Sequence, residues 1–256
     1  MPGRPYILKE TNWKTVRSTD YDVVVLPWGA IEAHNRHLPY GTDVIQSEWI
    51  AAEAARLAWE KGAKPVVLPA VPFGVNTGQF KVTLDINMHP STQLAVLRDV
   101  AESLSGQGFR KLLVLNGHGG NEFKPALREL QPKFPRLVMA LINWYGLEAL
   151  EKYFEDTGEH GSEMETSNLL AVAPGLVLPL ADAGTGKTRP FRLRALREGW
   201  AWSLRDWPSV TDDTGIGNPA LATEEKGKKY LQAVTEKIAS FLADFAEADP
   251  DRLYEP

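Results

Sequence analysis

Short apolar runs alternate with longer amphipathic stretches over the first two thirds of the chain. Asp22–Leu26 (DVVVL), Pro65–Val71 (PVVLPAV), Lys111–Leu115 (KLLVL) and Leu137–Ile142 (LVMALI) are continuous aliphatic runs of the kind that form strands buried on both faces. Between them, Asp43–Lys61, Ser91–Gln107 and Asn121–Gln131 repeat their apolar positions near the helical period. Gly62 stands where the first of these helices needs a C-terminal glycine. Strands alternating with helices imply right-handed crossovers and a mainly parallel sheet with helices on both faces, an α/β fold. The rhythm stops after Leu180. Residues 181–220 are rich in Gly, Pro, Thr and Asp and read as an irregular, insertion-like stretch. A last helix, Glu224–Phe245, puts Leu231, Val234, Ile238, Leu242 and Phe245 on one face. No linker or repeat interrupts the chain, so one domain over 1–256 is expected.

Totals narrow the chemistry. A chain of 256 residues buries enough surface to need no staples, and with no cysteine it has no disulfide, thiol nucleophile or Cys-type zinc site. The net charge of −5 argues against a general nucleic-acid binder. No run approaches the roughly 18 apolar residues of a membrane span, and the first twenty residues carry no apolar core of a signal peptide. A cytoplasmic protein without a membrane partner is expected.

The polar clusters all follow strands: WGAIEAHNRHLPYGTD (28–43), FGVNTGQF (73–80), NGHGGN (116–121) and NWYG (143–146). In open α/β sheets ligands bind beyond the carboxyl ends of the strands, so these distant segments are aimed at one crevice. Glu32, His34, Asp43 and His118 supply two carboxylates and two imidazoles, a donor set that zinc, manganese and iron(II) all accept. A further cluster, EHGSEMETSNLLAV (159–172), holds His160, Glu163 and Glu165 before an apolar helical run. Acidic residues at a helix N-terminus offset the dipole, which accounts for Glu163 but not for His160. On a helix the two glutamates point about 200° apart, so one is free to bind metal while the other handles protons. His37, Gln79 and Trp144 stand as substrate-facing candidates. Each has a plainer alternative: orienting a ligand for His37, an ordinary loop residue for Gln79, core for Trp144.

Together these segments resemble the creatininase family of metal-dependent amidohydrolases. The resemblance rests on Glu32-x-His34, His37-Leu38-Pro39 and Thr42-Asp43; on NGHGGN; on His160, Glu163 and Glu165-Thr166-Ser167; and on the late GIGNPALATEEKG (215–227). It implies a three-layer αβα fold, two divalent ions (zinc or manganese, with iron also accepted) and hydrolysis of a cyclic or other small non-peptide amide. By position Glu32 and His118 would hold one ion, His34 the other, and Asp43 would bridge them. Glu165 and His160 would form the catalytic pair. Family members assemble as rings, commonly homohexamers. The chain departs from creatininase itself at Gly119 and Gly120, where that enzyme has Tyr and a metal-binding Glu, and at Asp156, where it has a substrate-contacting Trp. Glu163 is the expected substitute ligand, and creatinine is not the expected substrate.

Three other readings rank lower. Ala181–Thr188 (ADAGTGKT) matches a relaxed P-loop, but Pro190 follows it and too little chain remains for an NTPase. Gly215–Ala220 (GIGNPA) matches a relaxed dinucleotide fingerprint but follows no buried strand. A catalytically inactive metal-binding relative would have been free to lose His160 and Glu165.

Overall fold

The computed structural model describes residues 3–255; Met1, Pro2 and Pro256, the ends of the expected domain, lie outside the described residues. Four parallel strands, β1 (Val23–Trp28), β2 (Pro65–Val67), β3 (Lys111–Asn116) and β4 (Val138–Asn143), form one sheet in the order β2-β1-β3-β4. Alternate strand residues face opposite layers. Val23, Val25, Leu113 and Leu115 pack against α2 (Thr42–Glu60), α5 (Glu163–Val172) and α8 (Glu224–Glu247). Val24, Leu26, Leu112 and Val114 pack with Leu97, Ala101 and Leu104 of α3 (Pro90–Gly106) and Phe123 and Leu130 of α4 (Phe123–Leu130). The three-layer α/β expectation therefore holds. The remaining helices, α1 (Trp13–Arg17), α6 (Arg194–Arg197) and α7 (Trp207–Val210), are one turn or little more.

Local signals account for the ends of the elements. Gly62 takes φ +95° beyond the α2 C-cap, a conformation that glycine adopts without a Cβ penalty. Pro90 starts α3 at its first turn, where its missing N–H costs nothing. Thr223 caps α8 by accepting the Lys226 N–H.

Two strand boundaries differ from expectation. β1 runs past Pro27 to Trp28 although β1 is a central strand. In a parallel ladder the N–H and C=O of one residue face the same neighbour. The Pro27 carbonyl faces the β2 side, accepting from Val71, but paired β2 register ends at Val25↔Val67. Proline thus sits where its missing donor removes no ladder bond. β2 in turn stops at Val67, just before Pro69.

The chain passes from β1 to β2 on one side and then returns to β3 on the other. The strand order therefore reverses between β1 and β3, which opens a crevice at their carboxyl ends. No single helix among the described residues is long and apolar enough to cross a membrane; α5 with 174–182 passes only as a pair bent by 119°.

Candidate metal centre

Five of the expected residues meet in one cluster at the crevice. The loop after β1 delivers Glu32 and His34, the first turn of α2 delivers Asp43, and His118 lies two residues beyond β3. Glu165 comes from the first turn of α5. All five are buried. His118 Nδ1 lies 2.7 Å from Glu32 Oε1 and 3.1 Å from Asp43 Oδ2. His34 Nε2 lies 3.1 Å from Asp43 Oδ1 and 3.6 Å from Glu165 Oε1. Asp43 is thus shared by two three-residue groups, one with Glu32 and His118, the other with His34 and Glu165.

The outward bonds of the two imidazoles decide which nitrogen faces inward. His118 Nε2 donates to the Val75 carbonyl at 3.2 Å, and His34 Nδ1 donates to the Glu32 carbonyl at 3.0 Å. A neutral ring then turns its lone-pair nitrogen onto carboxylate oxygens in both cases. Lone pair against anion is repulsive unless a proton or a metal cation stands between them. Ligands about 2.0–2.2 Å from one tetrahedral ion are themselves about 3.4 Å apart; the donor pairs here lie 2.7–3.6 Å apart, so the group need open by only a few tenths of an ångström to take an ion. Glu32 Oε1 and Asp43 Oδ2 also have no hydrogen-bond donor. Burial opposes charge on His34 and His118, yet the facing carboxylates outweigh it and hold both pKa values well above the imidazole norm. Burial likewise opposes the Glu32 and Glu165 anions, and the histidines outweigh it, holding both below the usual carboxylate range. The site is built for positive charge, and its residues fit divalent metal.

Supporting contacts hold the donors in place. Asn116 accepts the His118 N–H through Oδ1 at 3.1 Å and donates to the His118 carbonyl at 2.9 Å. Asn121 donates to the same Asn116 oxygen and accepts from Val75 N and Gln93. A Cβ on Gly120 would meet Val75 O at 2.3 Å and His118 Nε2 at 2.5 Å, so only glycine lets His118 reach its acceptor. Gln79 donates to Glu32 Oε2. Asp85 accepts the Ala33 N–H at 2.7 Å, pinning the backbone between Glu32 and His34. No motif in the sequence marks Asp85. Its place follows only from the path of the loop, which turns through Leu84 at φ +66°.

His160 is buried beside the cluster. Its Nε2 donates to the Ala33 carbonyl at 2.8 Å, its ring stacks on His34 at 4.1 Å, and Trp207 meets it edge-on at 5.3 Å.

Two expectations are corrected by geometry. Glu163 faces away from the cluster. Its carboxylate takes the Lys226 ammonium at 2.5 Å and the N–H groups of Glu155 at 3.1 Å and Asp156 at 2.8 Å. The opposed directions of the two glutamates were legible, but Glu165, not Glu163, is the one that faces His34. His37 is buried under α5, where Nε2 bonds Thr166 Oγ1 at 2.9 Å, and it does not line the cleft. Burial pushes its pKa down to about 4. Gln79 and Trp144 do line the cleft, though Trp144 is also core and donates to Ser47 Oγ at 3.3 Å.

The cleft above the cluster has a volume of about 950 Å³. Part of its wall comes from the irregular stretch, through Phe191, Leu196, Trp202, Leu204 and Arg205. The two glycine motifs set aside in the sequence meet here for a structural reason. Gly217 N–H donates to the Gly186 carbonyl at 3.1 Å, and Asp213 Oδ2 accepts from Gly186 at 3.0 Å. They clasp the base of that stretch.

A family model described as creatinine amidohydrolase matches residues 9–242. The chain is 29% identical to a creatinine amidohydrolase of Pseudomonas putida, over 87% of this chain and 89% of that one. It is 27% identical to a mycofactocin precursor peptide peptidase of Mycobacterium tuberculosis, over 86% and 84% of the two chains. It is 24% identical to a 3-dehydro-scyllo-inosose hydrolase of Thermotoga maritima, over 90% and 79%. Among solved structures, a Bacteroides fragilis protein taken to be a creatinine amidohydrolase superposes with a TM-score of 0.93 at 43% identity, covering 98% of this chain and 99% of that one. A manganese creatininase shares the fold at TM-score 0.75 and 22% identity, over 96% and 100%. With the family match running from before β1 into α8, the chain belongs to the creatininase family.

Proposed function

We propose that this hydrolase-family chain is a two-metal amidohydrolase acting on a C–N bond of a small amide. The observation that carries the reading is the pair of buried imidazoles whose lone pairs face three carboxylates with Asp43 between them. Glu32, His118 and Asp43 would hold one divalent ion; His34, Glu165 and Asp43 would hold the other. Glu165 thus takes the ligand place first given to Glu163, and the vacancy at Gly120 is met from α5. Relatives solved with manganese and in a Zn-Zn form support zinc or manganese as the ions. Bound there, the ions would supply Lewis acidity, polarising the amide carbonyl and acidifying water.

The protein's own residues do the rest. Amide cleavage needs a proton on the leaving nitrogen. With Nε2 committed to Ala33 O, Nδ1 of His160 is the ring nitrogen left to carry it, a role worth about 10²–10⁴-fold. His34 and Trp207 fix the plane of that ring. Asp85 ties the Ala33 peptide, and through it His160, to the metal-binding loop. Gln79 holds Glu32 with one oxygen directed at His118. Trp144 and Trp207 wall the cleft and limit water at the reacting bond. A homohexamer in the cytoplasm belongs to this reading through the resemblance.

The test is metal loading followed by hydrolysis of a panel of lactams, formamides and short amides. Turnover that depends on metal and falls at least about 10²-fold in His160→Ala, with metal content kept, supports the reading. Full metal content without turnover on any of them favours the inactive binding relative.

A further inference from the structure

We propose that residues 187–206 form a recognition arch that selects an amide bearing an anionic group on a flat or apolar body. None of these twenty residues is buried, yet Phe191, Leu196, Trp202, Leu204 and Arg205 line the cleft. Trp202 is 85% exposed while standing at the cleft wall. Single exposed apolar residues are ordinary, but here a tryptophan, a phenylalanine and two leucines face one cavity.

The charge of the segment departs from that of the chain. Lys187 and five arginines face only Glu198 and Asp206, a net of +4 within a chain whose net is −5, which leaves −9 for the remainder. Arg189, Arg194 and Arg205 are paired with Asp212, Glu198 and Glu159. Arg192 and Arg197 have no acidic partner among the described residues, and both are exposed. Neither lines the cleft, but Arg197 Nη1 donates at 3.3 Å to the carbonyl of Phe191, which does, and Arg192 follows Phe191 in the chain, so both stand on the segment that forms that wall and add positive potential there.

Volume points the same way. At about 950 Å³ the cleft is near the top of the range that holds drug-sized ligands. A bare lactam would leave most of it to water. The substrate therefore has a body beyond its amide, and Trp202 and Phe191 offer that body a π surface beside the arginines. This inference rests on the proposed chemistry only for where the amide lies.

The test is calorimetric titration of zinc-loaded protein with three hydroxamates: acetohydroxamate, (4-carboxyphenyl)acetohydroxamate and its neutral 4-carbamoyl analogue. At low salt the carboxylate is expected to bind roughly tenfold more tightly than the carbamoyl probe, an advantage that shrinks in 0.5 M salt. The double variant Arg192→Glu/Arg197→Glu is expected to erase or invert that ratio, and Trp202→Ala to weaken both aryl probes alike. Equal affinities for the aryl probes, no binding by either where acetohydroxamate binds, or a ratio that survives the charge reversal overturns the inference. A reversal variant that changes sedimentation but not the ratio assigns the arginines to a contact between copies and also overturns it. Absence of metal-dependent acetohydroxamate binding counts against the metal centre instead, while the ratio of the aryl probes still judges the arch.

Discussion

Two glutamates two positions apart in α5 do opposite work. Glu165 faces His34, whereas Glu163 is fully buried against Lys226 and two backbone amides. Glu165→Gln should lower the metal content from two ions to one with little loss of fold, measured by elemental analysis. Glu163→Gln should keep both ions but lose about 2 kcal/mol, the scale of a hydrogen bond to a charged group, read as a lower denaturant midpoint. His37 contributes in a different pH window. Its folded pKa of about 4 lies below that of the unfolded chain near 6.5. Its contribution is therefore intact above pH 6.5 and is lost as pH falls towards 4, where the unfolded state binds the extra proton. Stability of the wild type should fall more steeply across that window than stability of His37→Gln, as followed by urea melts at several pH values.

Helix packing sets where Glu165 points. α5 and α8 cross so closely that a Cβ on Gly227 would stand 2.0 Å from the Ser167 carbonyl oxygen. Alanine at that position gains about 1 kcal/mol of helix propensity, but the clash with backbone outweighs it. Gly227→Ala should lower the melting temperature and weaken metal retention, measured by thermal unfolding and by dialysis against a chelator. Gain of stability would show that the helices can separate freely. At this scale much was legible before the structure. The apolar runs marked all four strands, and the helical periods marked α2, α3, α4 and α8, because burial on one or both faces writes itself into sequence spacing. Pro27 was not legible as strand, since its tolerance depends on where a neighbouring strand stops. Residues 187–206 were not legible either, because a segment that buries nothing leaves no period to read.

At the scale of the whole molecule, the reversal of strand order between β1 and β3 brings Glu32 and Asp43 to His118 across more than seventy residues of chain. That convergence was foreseeable from polar clusters following strands, which is why Glu32, His34, Asp43 and His118 could be grouped from sequence. The positions of Asp85, Gln93 and Asn121 could not, because each acts through a backbone group whose path only the fold defines. Asp43 is the point on which both halves of the proposed centre depend. The most direct test is elemental analysis of wild type and Asp43→Ala after loading with zinc or manganese and exhaustive desalting. Two ions per chain in the wild type and none in a folded Asp43→Ala protein are predicted. A wild type that retains no ion, or an Asp43→Ala protein that keeps both, would contradict the shared-carboxylate centre.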